Sequence, residues 1–395
     1  MKKLSFVLLI ILFCPLFLSG CTHEMVSLYI YKMPNKLVYE IGEELEISGL
    51  ELKNIKTDSA LIKIHNNNAS FTGFDSSTSG IKEITVSYGN FTSSFNVFVA
   101  NKVVNNNNEL ISALNNLEDG DILLIKEGDY VLENPIEINN SNVIIGGEGK
   151  GKTIIDSFVI IGGYLENNNI NFINNSENVS FIGLTFNINK DIEDQVIIYE
   201  NEKYNKTFGA INIDKLKTFK VISCSFNGFV YAILANELIN ATITANNFEN
   251  LIISGITVNN SILNSTISKN VIRNIGNSVV SVNEDNSQMF ISGINLAFNK
   301  EDNCGVTIYK NSISKIAIKD VNTVFLNEKK EGTFANINFM FNSSALIIRS
   351  SGKNNLQTNG ISIFFNSIGS SLNNILYNTS ETDKINSSSV MYMSY

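Results

Sequence analysis

Beyond its first twenty residues, the chain carries its apolar residues in short runs divided by Gly, Asn and Ser. Ile81, Ile84, Val86 and Tyr88 lie in one run, and Phe91, Phe95, Val97 and Val99 form another after Gly89-Asn90. Two strands joined by a tight turn are therefore predicted. Upstream, Tyr29, Leu37, Val38, Tyr39, Leu45, Ile47 and Leu50 lie in patches separated by Pro34-Asn35 and Gly42-Glu43, so residues 26–100 predict a small all-β sandwich. Residues 101–108 read as a linker. Leu110, Ala113, Leu114 and Leu117 then stand at helical spacing and predict a short helix starting near 109, capped by Asn107 or Asn108. Behind it, Ile122 to Ile125, Ile136-x-Ile138, Val143 to Ile145 and Ile154-Ile155 predict a succession of short strands.

The later runs repeat. Ile243 to Asn246 returns as Ile267 to Asn270, 24 residues on, and again as Ile308 to Asn311 after 41 more, a distance read as two turns of a solenoid. Phe339 to Asn342 and Ile363 to Asn366 are again 24 apart. A period of 20 to 24 over residues 109–395 predicts about eleven to thirteen stacked coils. In such a stack Asn246, Asn270, Asn311, Asn342 and Asn366 read as turn residues. They are expected to adopt the left-handed conformation and bond to the coils above and below. Asn105 to Asn108 read as compositional only.

Composition sharpens this picture. The chain has 395 residues, 61 of them Asn, with 3 Pro and no Trp. So much Asn disfavours long helices, and the scarcity of Pro excludes a collagen-like chain. At 44% hydrophobic and 17% charged the chain is also too apolar to be disordered. The net charge is −9, or −11 once the two lysines of the first twenty residues are set aside. Only Arg273 and Arg349 are arginines, so no nucleic-acid partner is expected. His23 and His65 are the only histidines and have no ligand partner at useful spacing, so no metal site is read from them. Cys224 and Cys304 read as buried small hydrophobes in equivalent turns, with a single disulfide left open.

Lys2 and Lys3 precede an apolar run that ends in Leu18-Ser19-Gly20-Cys21. This resembles a bacterial lipobox, which implies a signal peptide at 1–20, a lipidated Cys21 and a tether at 21–25. The expected localisation is accordingly export and lipid anchorage to a bacterial membrane, at the outer membrane or cell surface. Residues 26–100 resemble the bacterial immunoglobulin-like domains of surface proteins through Tyr39, Gly42-Glu43, Leu45, Gly49-Leu50, Gly73-Phe74-Asp75, Gly80, Val86, Tyr88, Phe95 and Val97. The helix, the Asp119-Gly120-Asp121 turn, Gly128-Asp129-Tyr130 and the strands after them resemble the start of right-handed parallel β-helix proteins of the pectate-lyase-like superfamily. In that superfamily the helix covers one end of the coil.

The same resemblance brings lyase chemistry into view, because the superfamily includes polysaccharide lyases. A lyase must neutralise a uronate carboxylate and remove the C5 proton, with Lys and Arg or with Ca²⁺ held by carboxylates. Lys269, Arg273 and Lys310 are the basic candidates, Lys269 and Lys310 holding the same place in the repeat. Acidic candidates are Asp191, Glu193 and Asp194, with the pairs Glu284-Asp285 and Glu301-Asp302, none in the dense pattern of a Ca²⁺-dependent lyase. The sequence is therefore read first as a non-catalytic surface lipoprotein whose coil presents a face to a polysaccharide or a surface protein, without cofactor. A uronate lyase acting by β-elimination is the alternative.

Overall fold

The structure is a computed structural model that describes residues 25–56, 61–167, 169–188, 209–275, 290–298, 304–309, 311–316, 333–341, 348–349, 360–364, 367–368 and 376–378. Two compact units form. As far as they are described, the first takes Met1–Pro34, Gly49–Phe74 and Glu83–Asn96, and the second Asn35–Ser48, Asp75–Lys82 and Val97–Tyr395.

The first unit contains an antiparallel sheet in which Glu51–Lys56 lies between Met25–Lys32 and Leu61–Ile64. Alternation decides its faces, because Leu28, Ile30, Leu52 and Ile64 are buried while the residues between them are turned away. A second sheet has the order Val38–Tyr39, Phe91–Val99, Gly80–Tyr88, Ser70–Thr72. The turn before its strand Gly80–Tyr88 needs Gly73, whose φ is +93° and where a Cβ would stand 2.2 Å from the Glu83 carbonyl oxygen.

In the second unit the strands stack in parallel rows. One row is an eight-stranded sheet running from Gly128–Val131 through Thr153–Asp156, Thr185–Asn187, Ser225–Asn227, Asn247–Glu249, Val271–Ile275 and Ser312–Ile316 to Ser367–Ile368. Two more rows join into a seventeen-stranded sheet through Ser254–Ser268, which pairs with Tyr231–Ile239 by its first part and with Ala241–Thr244 by its second. Strand, corner, strand around three rows is a parallel β-helix, and its parallel crossovers are consistent with the right-handed sense. The architecture is all-β, an immunoglobulin-like domain followed by this coil with one N-terminal helix.

The core is a column of side chains that repeats at the same place in each coil. Tyr130, Ile155, Phe186, Phe226, Phe248, Ile272 and Ile313 are all buried in the eight-stranded row. Parallel register sets like on like: Phe226 stacks on Phe186 at 5.2 Å between centroids and on Phe248 at 5.1 Å, with planes 8° and 7° apart. Among the described residues this row has eight strands, where dividing length by period gave eleven to thirteen coils. The hairpin of Gly163–Glu166 with Asn169–Phe172 is one excursion between coils, and the register partners Phe186 and Phe226 are 40 positions apart in the sequence.

Several expectations are corrected. Within the expected linker 101–108, Lys102–Val104 is a strand paired in parallel with Ile122–Ile125, and Val104 is buried. The helix α1, Asn107–Asn115, is capped neither by Asn107 nor by Asn108. The Asn106 side chain accepts from Glu109 N–H at 3.0 Å, while the Glu109 carboxylate accepts from Asn105 N–H at 2.7 Å and from the Asn106 amide at 2.8 Å. The Asn run is therefore a capping device as well as a compositional bias. Asn270 and Asn311, 41 positions apart, are one coil apart and not two, since the two side chains bond directly. Phe339 and Ile363 are not repeats of one another. Phe339 pairs with Leu296 in one row and Ile363 with Ile308 in another. Cys304 opens a strand opposite Ile262, so it is not the turn equivalent of Cys224.

Candidate active site

The corner leading into the eight-stranded row organises everything on its outer surface. Each corner has one residue in the left-handed region: Gly183 (φ +64°), Ser223 (+55°), Ala245 (+59°) and Lys269 (+55°). The asparagine sits one place later and points inward, which reverses the expected division of labour. Asn246, Asn270 and Asn311 are at most 1% exposed. Asn270 Nδ2 donates to the Ile243 carbonyl (2.9 Å) and Asn311 Oδ1 (2.9 Å), and Asn246 N–H donates to Asn270 Oδ1 (3.0 Å). The column ends on Cys224 N–H, which donates to Asn246 Oδ1 at 2.8 Å. Cys224 is a buried free thiol, and burial pushes it up to about 12, so it is no nucleophile.

Turning the chain at Lys269 puts the next strand's side chains alternately in and out. Ile272 goes in; Val271 and Arg273 go out. Arg273 lies directly across from Glu249 in the neighbouring coil, and its Nη2 stands 2.6 Å from Glu249 Oε1. The Arg273 side chain keeps 49% of its surface exposed, so donors remain for a second anion. Below Arg273 the same outward column holds Glu249, Asn227 and Asn187.

A third cation joins this face from far away in sequence. The loop at 148–152 folds along the corners, Gly149 N–H donating to the Gly183 carbonyl (3.1 Å) and Gly151 N–H to Thr185 Oγ1 (2.8 Å). The exposed Lys150 continues upward, its Nζ donating to the Ala245 carbonyl and, at 3.3 Å, to Asn247 Oδ1. Ala245 and Lys269 are successive corners, and Asn247 is two residues before Glu249. Lys150 and Arg273 are therefore anchored about 7 Å apart along the strand direction, with Lys269 about 4.8 Å up the stack from the Lys150 anchor. Lys150 and Arg273 thus share the outward side of this row, with Lys269 at the adjoining corner.

Of the candidates read from sequence, Lys269 and Arg273 thus belong to adjoining parts of one coil. Lys310, Asn342 and Asn366 lie outside the described residues, as do Cys21 and the acidic candidates Asp191, Glu193, Asp194, Glu284, Asp285, Glu301 and Asp302. Among the described residues no group of three His, Cys, Asp or Glu is placed to hold a metal ion. Lys150 was missed. Its only signal was the Gly-Lys-Gly-Lys run at 149–152, and its target is 95 residues away.

Residues 33–99 match the model of the bacterial Ig-like domain, group 3. A pectate lyase L of Thermoclostridium stercorarium is 37% identical over 78 residues, which is 20% of this chain and 6% of that protein. Among solved structures, a PL6 family alginate lyase aligns over 71% of this chain and 37% of its own at 11% identity, with a TM-score of 0.38. A PL6 family polysaccharide lyase from Pseudopedobacter saltans aligns over 68% and 57% at 12% identity, with a TM-score of 0.35. The chain thus spans well under two thirds of the length of these relatives. The expectation of a purely non-catalytic presenting surface is corrected here, because the curated relative that shares sequence with the chain is a lyase.

Proposed function

We propose that the protein is a polysaccharide lyase that cleaves a uronate-containing glycan by β-elimination. The observation that carries this reading is the placing of Lys150 and Arg273 on one outward face, with Glu249 holding the guanidinium and Lys269 at the adjoining corner. Likeness to a pectate lyase supports it. In the reaction the C5–H and C4–O bonds of the uronate break, a C4=C5 double bond forms, and the departing oxygen takes a proton. Carbanion character develops next to the carboxylate, so a guanidinium bound to that carboxylate stabilises the transition state more than the ground state. Arg273 is assigned that place and Lys269 the proton transfer, with Lys150 holding a neighbouring carboxylate. Lys310 precedes Asn311 as Lys269 precedes Asn270, and is assigned to the same reading.

The test is to incubate the full chain with polygalacturonate, alginate and glycosaminoglycans, with Ca²⁺ and with a chelator. An ultraviolet-absorbing unsaturated product from at least one polymer is expected. No such product from any of them would sink the proposal. We also propose that the chain is exported and anchored through a lipid on Cys21. Mass spectrometry of the mature N-terminus should find a modified peptide beginning at Cys21, and an unmodified peptide beginning elsewhere would overturn the anchor.

A further inference from the structure

The outer face of the first unit's three-stranded sheet is a different kind of surface from its buried side. Tyr29, Lys53 and Lys63 lie directly opposite one another across the three strands, so their side chains share that face. Tyr31 stands two residues on from Tyr29, 40% exposed, with the Lys53 ammonium 3.2 Å from its ring centroid. This contact fixes a long, mobile cation in one place, which lowers the entropy lost when an anion binds it. Lys63 is exposed beside it. Glu51, two residues before Lys53, shares the face and is paired across the strands with Lys32, so on a chain of net charge −9 Lys53 and Lys63 leave a local reversal of sign here.

We infer that this face is a second glycan-binding site, outside the candidate active site, that takes the carboxylates of an acidic polysaccharide. Lys53 and Lys63 meet successive carboxylates, and the tyrosines supply flat apolar surface and hydroxyl donors suited to sugar rings. The choice of a uronate polymer rests on the lyase reading above. The expected consequence is avidity: a polymer held here dissociates more slowly from the chain as a whole.

The experiment uses the full chain with Arg273→Ala, so that polymer is not consumed. Affinity for polygalacturonate and for alginate is measured by titration and by retardation in polymer-loaded gels. Lys53→Glu with Lys63→Glu should weaken binding about tenfold or more. Tyr31→Ala should weaken it less, and Lys82→Glu, a reversal elsewhere on the surface, should leave it unchanged. With Arg273 intact, the double reversal should slow turnover of long polymer and spare that of short oligouronides. Equal affinity in the double reversal overturns the inference. So does an equal loss in Lys82→Glu, or binding of polyglutamate as strong as that of the uronate polymers. The binding readout stands whether or not product forms, so failure of the lyase reading is seen separately.

Discussion

Asn270 shows how one residue type was assigned the right neighbourhood and the wrong task. Spacing located it at a corner, and its side chain does bridge three coils, but the left-handed residue is Lys269. Spacing cannot separate the two, because a corner of fixed length places both at the same interval. A residue that is 1% exposed and bonded to Ile243, Asn246 and Asn311 has no water to replace lost partners. Asn270→Ala should therefore destabilise the coil by about 2–4 kcal/mol, since it orphans buried backbone and amide groups. Chemical denaturation read by circular dichroism measures this. Asn264→Gly, at an exposed left-handed position of the same coil (φ +49°), should change little by comparison.

At the scale of elements, the legible part was whatever the chain repeats locally. Short strands, the capping helix and the apolar column follow from runs and periods that any window of the sequence contains. Row membership was not legible: Phe339 and Ile363 share a motif and stand one interval apart but lie in different rows, and a motif read along the chain does not say which strand lies beside it. The stacked rings of Phe186, Phe226 and Phe248 give this architecture a measurable signature. In a coil each turn contacts chiefly its neighbours, so damage stays local. Phe226→Ala should cost about 3–5 kcal/mol. Amide exchange should rise first in Thr185–Asn187, Ser225–Asn227 and Asn247–Glu249, ahead of Gly128–Val131. Uniform acceleration along the row would show that the coil unfolds as one block.

At the scale of the molecule, charge does two separate things. One group is structural and lies within the second unit: Glu148 stands 3.4 Å from Lys36 Nζ and 2.7 Å from Lys126 Nζ, and Lys126 also meets Glu40 at 2.6 Å. Burial alone would raise the Glu148 carboxyl. Hydrogen bonds from Lys126 and from Glu127 N–H, with the charges of Lys126 and Lys36, outweigh it and hold the group below the usual carboxylate range. A carboxyl depressed in the folded state stabilises it above the unfolded value, and that contribution is lost as pH falls through the folded one. Glu148→Gln should lower the unfolding temperature at neutral pH and lose its effect in acid. An equal decrement at both would place the effect in packing rather than charge.

The other group, Lys150, Lys269 and Arg273, is proposed to be chemical, and it was only partly legible. Lys269 and Arg273 are four residues apart in one coil, so their adjacency can be read from the sequence. Lys150 reaches them through a loop whose path depends on the stack itself. The most direct measurement is the initial rate of unsaturated-product formation from polygalacturonate and alginate by the wild-type chain, Arg273→Lys and Arg273→Ala. The wild type should form product on at least one polymer, Arg273→Ala should be slower by about 100-fold or more, and Arg273→Lys should lie between. A wild type that forms none, or an Arg273→Ala variant as fast as the wild type, would contradict the account.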